Sequence, residues 1–163
     1  MGKQRKTGGF AMTKEEFQGL IAQVTEAVKG RDLDRALAAD LNARFPVTGA
    51  AFKAIRAACD NAIAEGWMCE REQGGIKFGR VIKDVDGFSV DVVEMSDVVG
   101  PHHRHPNGEI DMIMPIDSAA EFDGHGAGWV VYGPDSAHKP TVMGGKALVL
   151  YLLPGGAIDF TRG

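Results

Sequence analysis

Ile76-Lys77-Phe78-Gly79-Arg80-Val81-Ile82, a polar stretch ending in Asp86-Gly87, and then Phe88-Ser89-Val90-Asp91-Val92-Val93-Glu94-Met95 form the part of this 163-residue chain that decides its fold. Two runs rich in β-branched and aromatic residues, with side chains alternating in character, flank a dipeptide that takes positive φ readily, which is the pattern of a β-hairpin. Working outward, Gly74-Gly75 marks a second turn before it. Glu109 to Met114, Trp129 to Tyr132 and Ala147 to Leu153 read as further strands, with glycine or proline in nearly every gap. Many short strands in one segment imply a barrel or a sandwich.

Before Met68 the period is helical. Thr13 and Glu16 match a capping box, and Phe17, Leu20, Ile21, Val24 and Val28 then recur on one helical face until Gly30. A second stripe runs through Leu33, Leu37 and Leu41 to Phe45, where Pro46 stops it. Thr48 can cap a third helix, whose Phe52, Ile55, Cys59 and Ile63 share a face that Gly66 closes. The chain therefore divides into a basic, glycine-rich leader over 1–11, a helical segment over 12–67 packed on the strands, and a β domain over 68–163.

Composition narrows the function classes. With 44% hydrophobic and 25% charged residues the chain can bury a core of its own, and a formal charge of −4 offers no counterion-displacing surface for nucleic acid. No apolar run reaches the length of a membrane span, and the leader lacks the apolar stretch of a secretory signal, so a cytoplasmic location is expected. Cys59 and Cys69 form no metal-ligand spacing and read as buried free thiols.

The histidines carry the chemistry. All five lie in the β-rich part, three of them within four positions. Alternate residues of a strand share a face, so His103 and His105 project together while His102 and Arg104 point the other way. Asn107-Gly108 would then fold the chain back and bring Glu109 beside the two imidazoles. His125, among glycines in Asp123-Gly124-His125-Gly126, reads as a loop residue. By the same alternation Arg80 shares a face with Ile76, Phe78 and Ile82, and Asp111 shares one with Glu109 and Ile113. Both can point inward. A buried arginine needs a partner, which a substrate carboxylate or a protein carboxylate such as Glu94 could supply. Tyr132 and Lys139 are candidates for substrate contact.

The spacing of His103, His105 and Glu109 resembles the first metal motif of the cupin superfamily, and Gly128, Pro134 and His138 resemble the second. That resemblance implies a cupin-type β-barrel behind an N-terminal helical segment, and a fourth ligand in His138. His103, His105, Glu109 and His138 together suit a divalent transition metal, whose identity ligand type alone does not select. No organic cofactor is expected.

A more specific resemblance covers nearly the whole chain from Met12. Ala62-Ile63-Ala64-Glu65-Gly66-Trp67, Gly75 to Val81, Phe88 to Met95, Gly100-Pro101-His102-His103-Arg104-His105-Pro106-Asn107-Gly108-Glu109 and Leu150-Tyr151-Leu152-Leu153-Pro154-Gly155-Gly156 resemble the 4-hydroxylaminobenzoate lyase family of nitroaromatic degradation. The resemblance implies conversion of 4-hydroxylaminobenzoate to 3,4-dihydroxybenzoate with release of ammonia. In that setting Glu109, His103 and His138 would be catalytic. Arg80, Tyr132 and Asp111 would bind a small aromatic carboxylate, and Phe78, Val90, Val92 and Ile113 would accept its ring. A cupin dioxygenase or isomerase, and a sensing protein with a winged-helix-like front, are the competing readings. Cupin barrels commonly pair through strands, so a homodimer is expected.

Overall fold

The computed structural model describes residues 12–161. The leader expected over 1–11 lies outside them.

Among the described residues three helices come first. α1, Lys14–Val28, begins at a complete capping box: Thr13 Oγ1 accepts from the Glu16 amide and Glu16 Oε1 accepts from the Thr13 amide, both at 3.0 Å. α2 spans Arg35–Arg44 and starts later than its apolar stripe suggested, because Asp34 caps it by accepting from the Leu37 amide. α3 spans Ala50–Glu65; its N-cap is Gly49 rather than Thr48, and no side chain caps it. Gly66, at φ 86°, closes it in the left-handed conformation the sequence anticipated. None of these helices is long and apolar enough to cross a membrane.

Ten strands follow among the described residues: β1 Arg71–Gln73, β2 Ile76–Val85, β3 Phe88–Val99, β4 His103–His105, β5 Glu109–Pro115, β6 Glu121–Phe122, β7 Gly128–Tyr132, β8 Ser136–His138, β9 Thr141–Pro154 and β10 Asp159–Phe160. Asp86 and Gly87 both take positive φ, 53° and 87°, and join β2 to β3 as the hairpin reading required. The strands form two antiparallel sheets. The larger has the order β1-β2-β3-β9-β5-β7 with β6 paired to β9; the smaller has the order β10-β4-β8. The fold class is as expected, mainly β with three helices in a cupin-type arrangement. The correction concerns closure: the strands make a double-sheet jelly-roll layout rather than one barrel closed by hydrogen bonds.

The larger sheet is buried on both faces. Val90, Val92, Ile110, Met112, Leu148, Leu150 and Leu152 pack against Phe17, Ile21, Leu37 and Ile55 of the helices. Val93, Met95, Ile113, Val149 and Tyr151 face the other way, with Phe122 and Val142. Such two-sided burial makes β3, β5 and β9 nearly continuous in apolar residues. Trp129 ties the helices on: its Nε1–H donates to Phe45 O at 2.9 Å, and Asn42 brackets its backbone with two bonds of 3.0 Å. Cys59 and Cys69 are buried free thiols, as expected.

Candidate metal centre

Three local features assemble the cluster. β4 is extended, so His103 and His105 are both buried on one face while Arg104 lies on the other. The turn after it needs glycine: Gly108 has φ +88°, and a Cβ there would meet Tyr132 O at 2.7 Å and Leu33 Cδ2 at 2.8 Å. The turn delivers Glu109, fully buried, with Oε1 at 3.2 Å from His105 Nε2 and 3.7 Å from His103 Nε2. The third feature is the β4–β8 register, which sets His138 directly opposite His103. Their Nε2 atoms lie 3.1 Å apart, and His138 Nε2 is 3.8 Å from Glu109 Oε2.

One potential ligand atom from each of these four residues falls within 4.8 Å of the others. The fit to a divalent metal rests on what the cluster's atoms lack. His105 Nε2 and both Glu109 oxygens are buried with no hydrogen-bond partner among the described residues, a costly state for polar atoms unless a ligand meets them. The outer nitrogens also fix the tautomers. Ser136 Oγ donates to Gly133 O at 2.6 Å, so its oxygen accepts from His105 Nδ1–H at 2.9 Å and leaves the His105 Nε2 lone pair free. Asp123 Oδ2 accepts from His138 Nδ1–H at 2.6 Å to the same effect. Three imidazoles and one carboxylate suit several divalent first-row transition metals.

Burial alone would raise the Glu109 pKa, but the facing imidazoles of His103 and His105 and the neighbouring Asp111 carboxyl outweigh it and hold the group below the usual carboxylate range. Asp111, on the same face two residues along, goes the other way. Its own burial, and then the negative charge of Glu109, push it well above its ordinary value.

Asp123 is the functional residue that sequence reasoning missed. It accepts from His138 and from the Tyr132 hydroxyl, each at 2.6 Å, and its Oδ1 accepts from the Thr141 amide at 2.9 Å. Burial opposes ionisation there, but these donors prevail and lower its pKa. Replacing it with Asn presents an amide N–H to His138 Nδ1 and drives the ring proton to Nε2, where it blocks a metal. Asp123→Asn is therefore expected to weaken metal affinity about 10- to 100-fold, read by calorimetric titration; unchanged affinity would reject the tautomer argument.

The remaining candidates fall around the cluster rather than in it. Tyr132 gives its hydroxyl to Asp123 and lays its ring against His138 and His105, at centroid distances of 4.6 and 5.6 Å. His102 turns away, as alternation predicted, and pairs with Thr161 Oγ1 at 2.6 Å. His125 and Lys139 are exposed. Arg80 does not point into the interior. Its side chain is 38% exposed and is held by Asp91, at 2.8 and 3.3 Å, and by Gly156 O at 3.3 Å. Glu94, the carboxylate considered for it, instead faces Lys77 and Lys146 at 3.9 and 3.8 Å.

Beside the cluster a cavity of about 600 Å³ opens between the sheets. Of the four cluster residues His103 lines it; Ile76, Phe78, Val93, Met95, Tyr151 and Ile158 supply most of its buried or half-buried apolar wall. Phe78 is where the sequence placed it. Val90 and Val92 are not: both face the helices, and Ile113 is buried on the cavity side without lining the cavity. Among the described residues no Lys or Arg lines it, and its one carboxylate is Asp91.

The sequence profile described as PnbB, 4-hydroxylaminobenzoate lyase, matches residues 19–160. The chain belongs to the 4-hydroxylaminobenzoate lyase family. Within that family, a relative from Nocardioides sp. (strain LMS-CY) named 4-hydroxylaminobenzoate lyase is 28% identical over 152 residues, covering 86% of this chain and 88% of its own. One of the same name from Pseudomonas putida is 26% identical over 168 residues, covering 90% and 95%. Among solved structures, a protein of unknown function with a cupin-like fold from Ralstonia eutropha JMP134 aligns with a TM-score of 0.43 at 16% identity, covering 54% of this chain and 59% of its own.

Proposed function

We propose that this family member converts 4-hydroxylaminobenzoate to 3,4-dihydroxybenzoate and ammonia, using the cluster of His103, His105, Glu109 and His138 as its reaction centre. The observation that supports this most directly is that the cluster adjoins, through His103, a largely apolar cavity with room for an aromatic ring. The reaction balances with one water consumed and one ammonia released, so no external oxidant is needed.

A divalent metal held by those four residues supplies Lewis acidity toward a substrate or water oxygen. The chain does the rest. Phe78, Val93 and Met95 hold the ring and exclude water from its faces. Glu109, kept ionised, provides the one anionic ligand, while Asp123 and Ser136 keep the imidazole lone pairs turned inward. The substrate carboxylate stays at the rim, which exposed Gln73 and Gly74 border, because among the described residues no Lys or Arg lines the cavity to pair with it. In this reading Arg80 neutralises Asp91 instead of gripping the substrate.

Incubating metal-replete protein with 4-hydroxylaminobenzoate is expected to yield ammonia and 3,4-dihydroxybenzoate in equal amounts without added oxidant. Folded, metal-loaded protein that forms neither product rules the proposal out, and product formation that requires oxygen points instead to a dioxygenase.

A further inference from the structure

The register of the larger sheet aligns a polar row across four neighbouring strands. Arg80 of β2 pairs with Asp91 of β3, Asp91 with Tyr151 of β9, and Tyr151 with Asp111 of β5. Directly opposed residues share a face, so the row crosses the sheet beneath the cavity and reaches the strand that carries Glu109. Three of its members have clear assignments. Arg80 and Asp91 hold each other, and Asp111 is buried beside the candidate ligand Glu109 on β5.

Tyr151 has none. Its side chain is buried, with the residue 5% exposed, and it lines the cavity. Its ring is packed near Phe122 at 6.2 Å, yet its hydroxyl has no hydrogen-bond partner among the described residues. Phenylalanine would fill the same space; the hydroxyl is not one of the fully enclosed unpaired atoms, so it opens onto the cavity that Tyr151 lines, where a ligand oxygen can reach it. Tyr132 shows the contrast: its hydroxyl is engaged by Asp123. The Tyr151 phenol also stays protonated, since burial and the surrounding carboxylates push its pKa well above the ordinary value. It is a donor facing a cavity whose other polar side chains are Gln73 at the rim, Asp91 and His103.

We propose that the Tyr151 hydroxyl donates a hydrogen bond to the oxygen on the substituent para to the substrate carboxylate, and so selects ring acids with an oxygen-bearing para group over those without one. This deepens the proposed function and rests on it for the identity of the natural substrate. The carboxylate at the rim and the ring between Phe78 and Val93 leave the para substituent at the buried end, where Tyr151 and His103 both face the cavity. The role is binding and orientation: no bond to the tyrosine forms and no proton leaves it.

The test compares wild type with Tyr151→Phe, both metal-replete, by calorimetric titration with 4-hydroxybenzoate and with benzoate, alongside turnover of 4-hydroxylaminobenzoate. Tyr151→Phe keeps the ring and removes only an unpaired group, so its Tm should match wild type. Wild type should prefer 4-hydroxybenzoate by about tenfold, the worth of one well-placed hydrogen bond, and the variant should lose that preference together with a comparable factor in kcat/KM. If wild type turns over substrate and the variant keeps both the preference and kcat/KM, Tyr151 is not the donor and the lyase reading stands. If wild type forms no product yet shows a preference that the variant loses, the donor assignment stands and the lyase reading fails. If wild type binds neither acid, both are overturned.

Discussion

Saturating the metal-free protein with a divalent transition metal should raise its Tm by roughly 8–16 °C, and Glu109→Gln should abolish most of that rise. The first figure follows from linkage. A ligand at about a thousand times its dissociation constant stabilises the native state by ~4 kcal/mol, and for a domain of this size each kcal/mol moves Tm by roughly 2–4 °C. Binding is coupled to folding because the four ligands come from three separate strands, which the unfolded chain cannot hold together. The size of the shift at fixed concentration should follow the general affinity order, rising from manganese to copper and falling at zinc.

Glu109→Gln is the decisive variant because the carboxylate is the only anion in the set. The amide has nearly the same shape, so the surrounding His105, His103 and Asp111 need not move, but it neutralises the charge that opposes the metal's own. The loss of affinity and of turnover should exceed the ~10–100-fold typical of an outer-shell change, and therefore exceed that of Asp123→Asn. Thermal scans with and without metal read the effect independently of any substrate. No Tm rise in wild type with manganese, iron(II), cobalt, nickel, copper or zinc would remove the metal centre from the proposal.

How much of this was legible in the sequence depends on the range of the interaction. Period-two alternation put His103 and His105 on one face, and the Asn107-Gly108 turn returned Glu109 to them; both are local rules and both hold. Asp123 was invisible because nothing local distinguishes it. It sits 15 residues from His138 in a stretch that reads as a glycine-rich loop, and only the tertiary fold makes it the acceptor for His138. The placing of Ile82 with Arg80 and the cavity wall fail for a different reason. A bulge between Arg80 and Ile82 places two residues of β2 against one step of β3, so Ile82 pairs with Val90 on the helix side while Arg80 stays with Asp91. In β3 itself Val90, Val92 and Val93 are all buried, so the apolar pattern does not say which of them faces the cavity. A one-residue change of phase exchanges the two faces, and the wall consequently contains Val93 and Met95 in place of Val90 and Val92.

The attachment of the helices gives the second large prediction. Trp129→Ala should destabilise the protein by about 3–5 kcal/mol, the usual range for emptying a large aromatic site, and lower Tm by roughly 6–20 °C at the slope for this chain length. The residue is 4% exposed. Its indole meets Phe45 and Phe52 at centroid distances of 6.3 and 6.2 Å, and its N–H donates to Phe45 O, which the substitution leaves without that donor. The backbone bonds from Asn42 do not depend on the side chain and should persist, so the loss should fall on packing between α2, α3 and β7. The chain has two tryptophans, so in this variant Trp67, edge-on to Phe17 of α1 at 6.1 Å, becomes the sole fluorescent reporter of the helical layer. If helices and sheets unfold as one cooperative unit, Trp67 fluorescence and the circular dichroism of the strands should report coincident urea midpoints in the variant, as total tryptophan fluorescence and circular dichroism should in wild type. Separate midpoints, with the helical layer lost first and metal binding retained, would show that residues 12–67 are a cover over an independently stable β domain, and that the cluster does not need them.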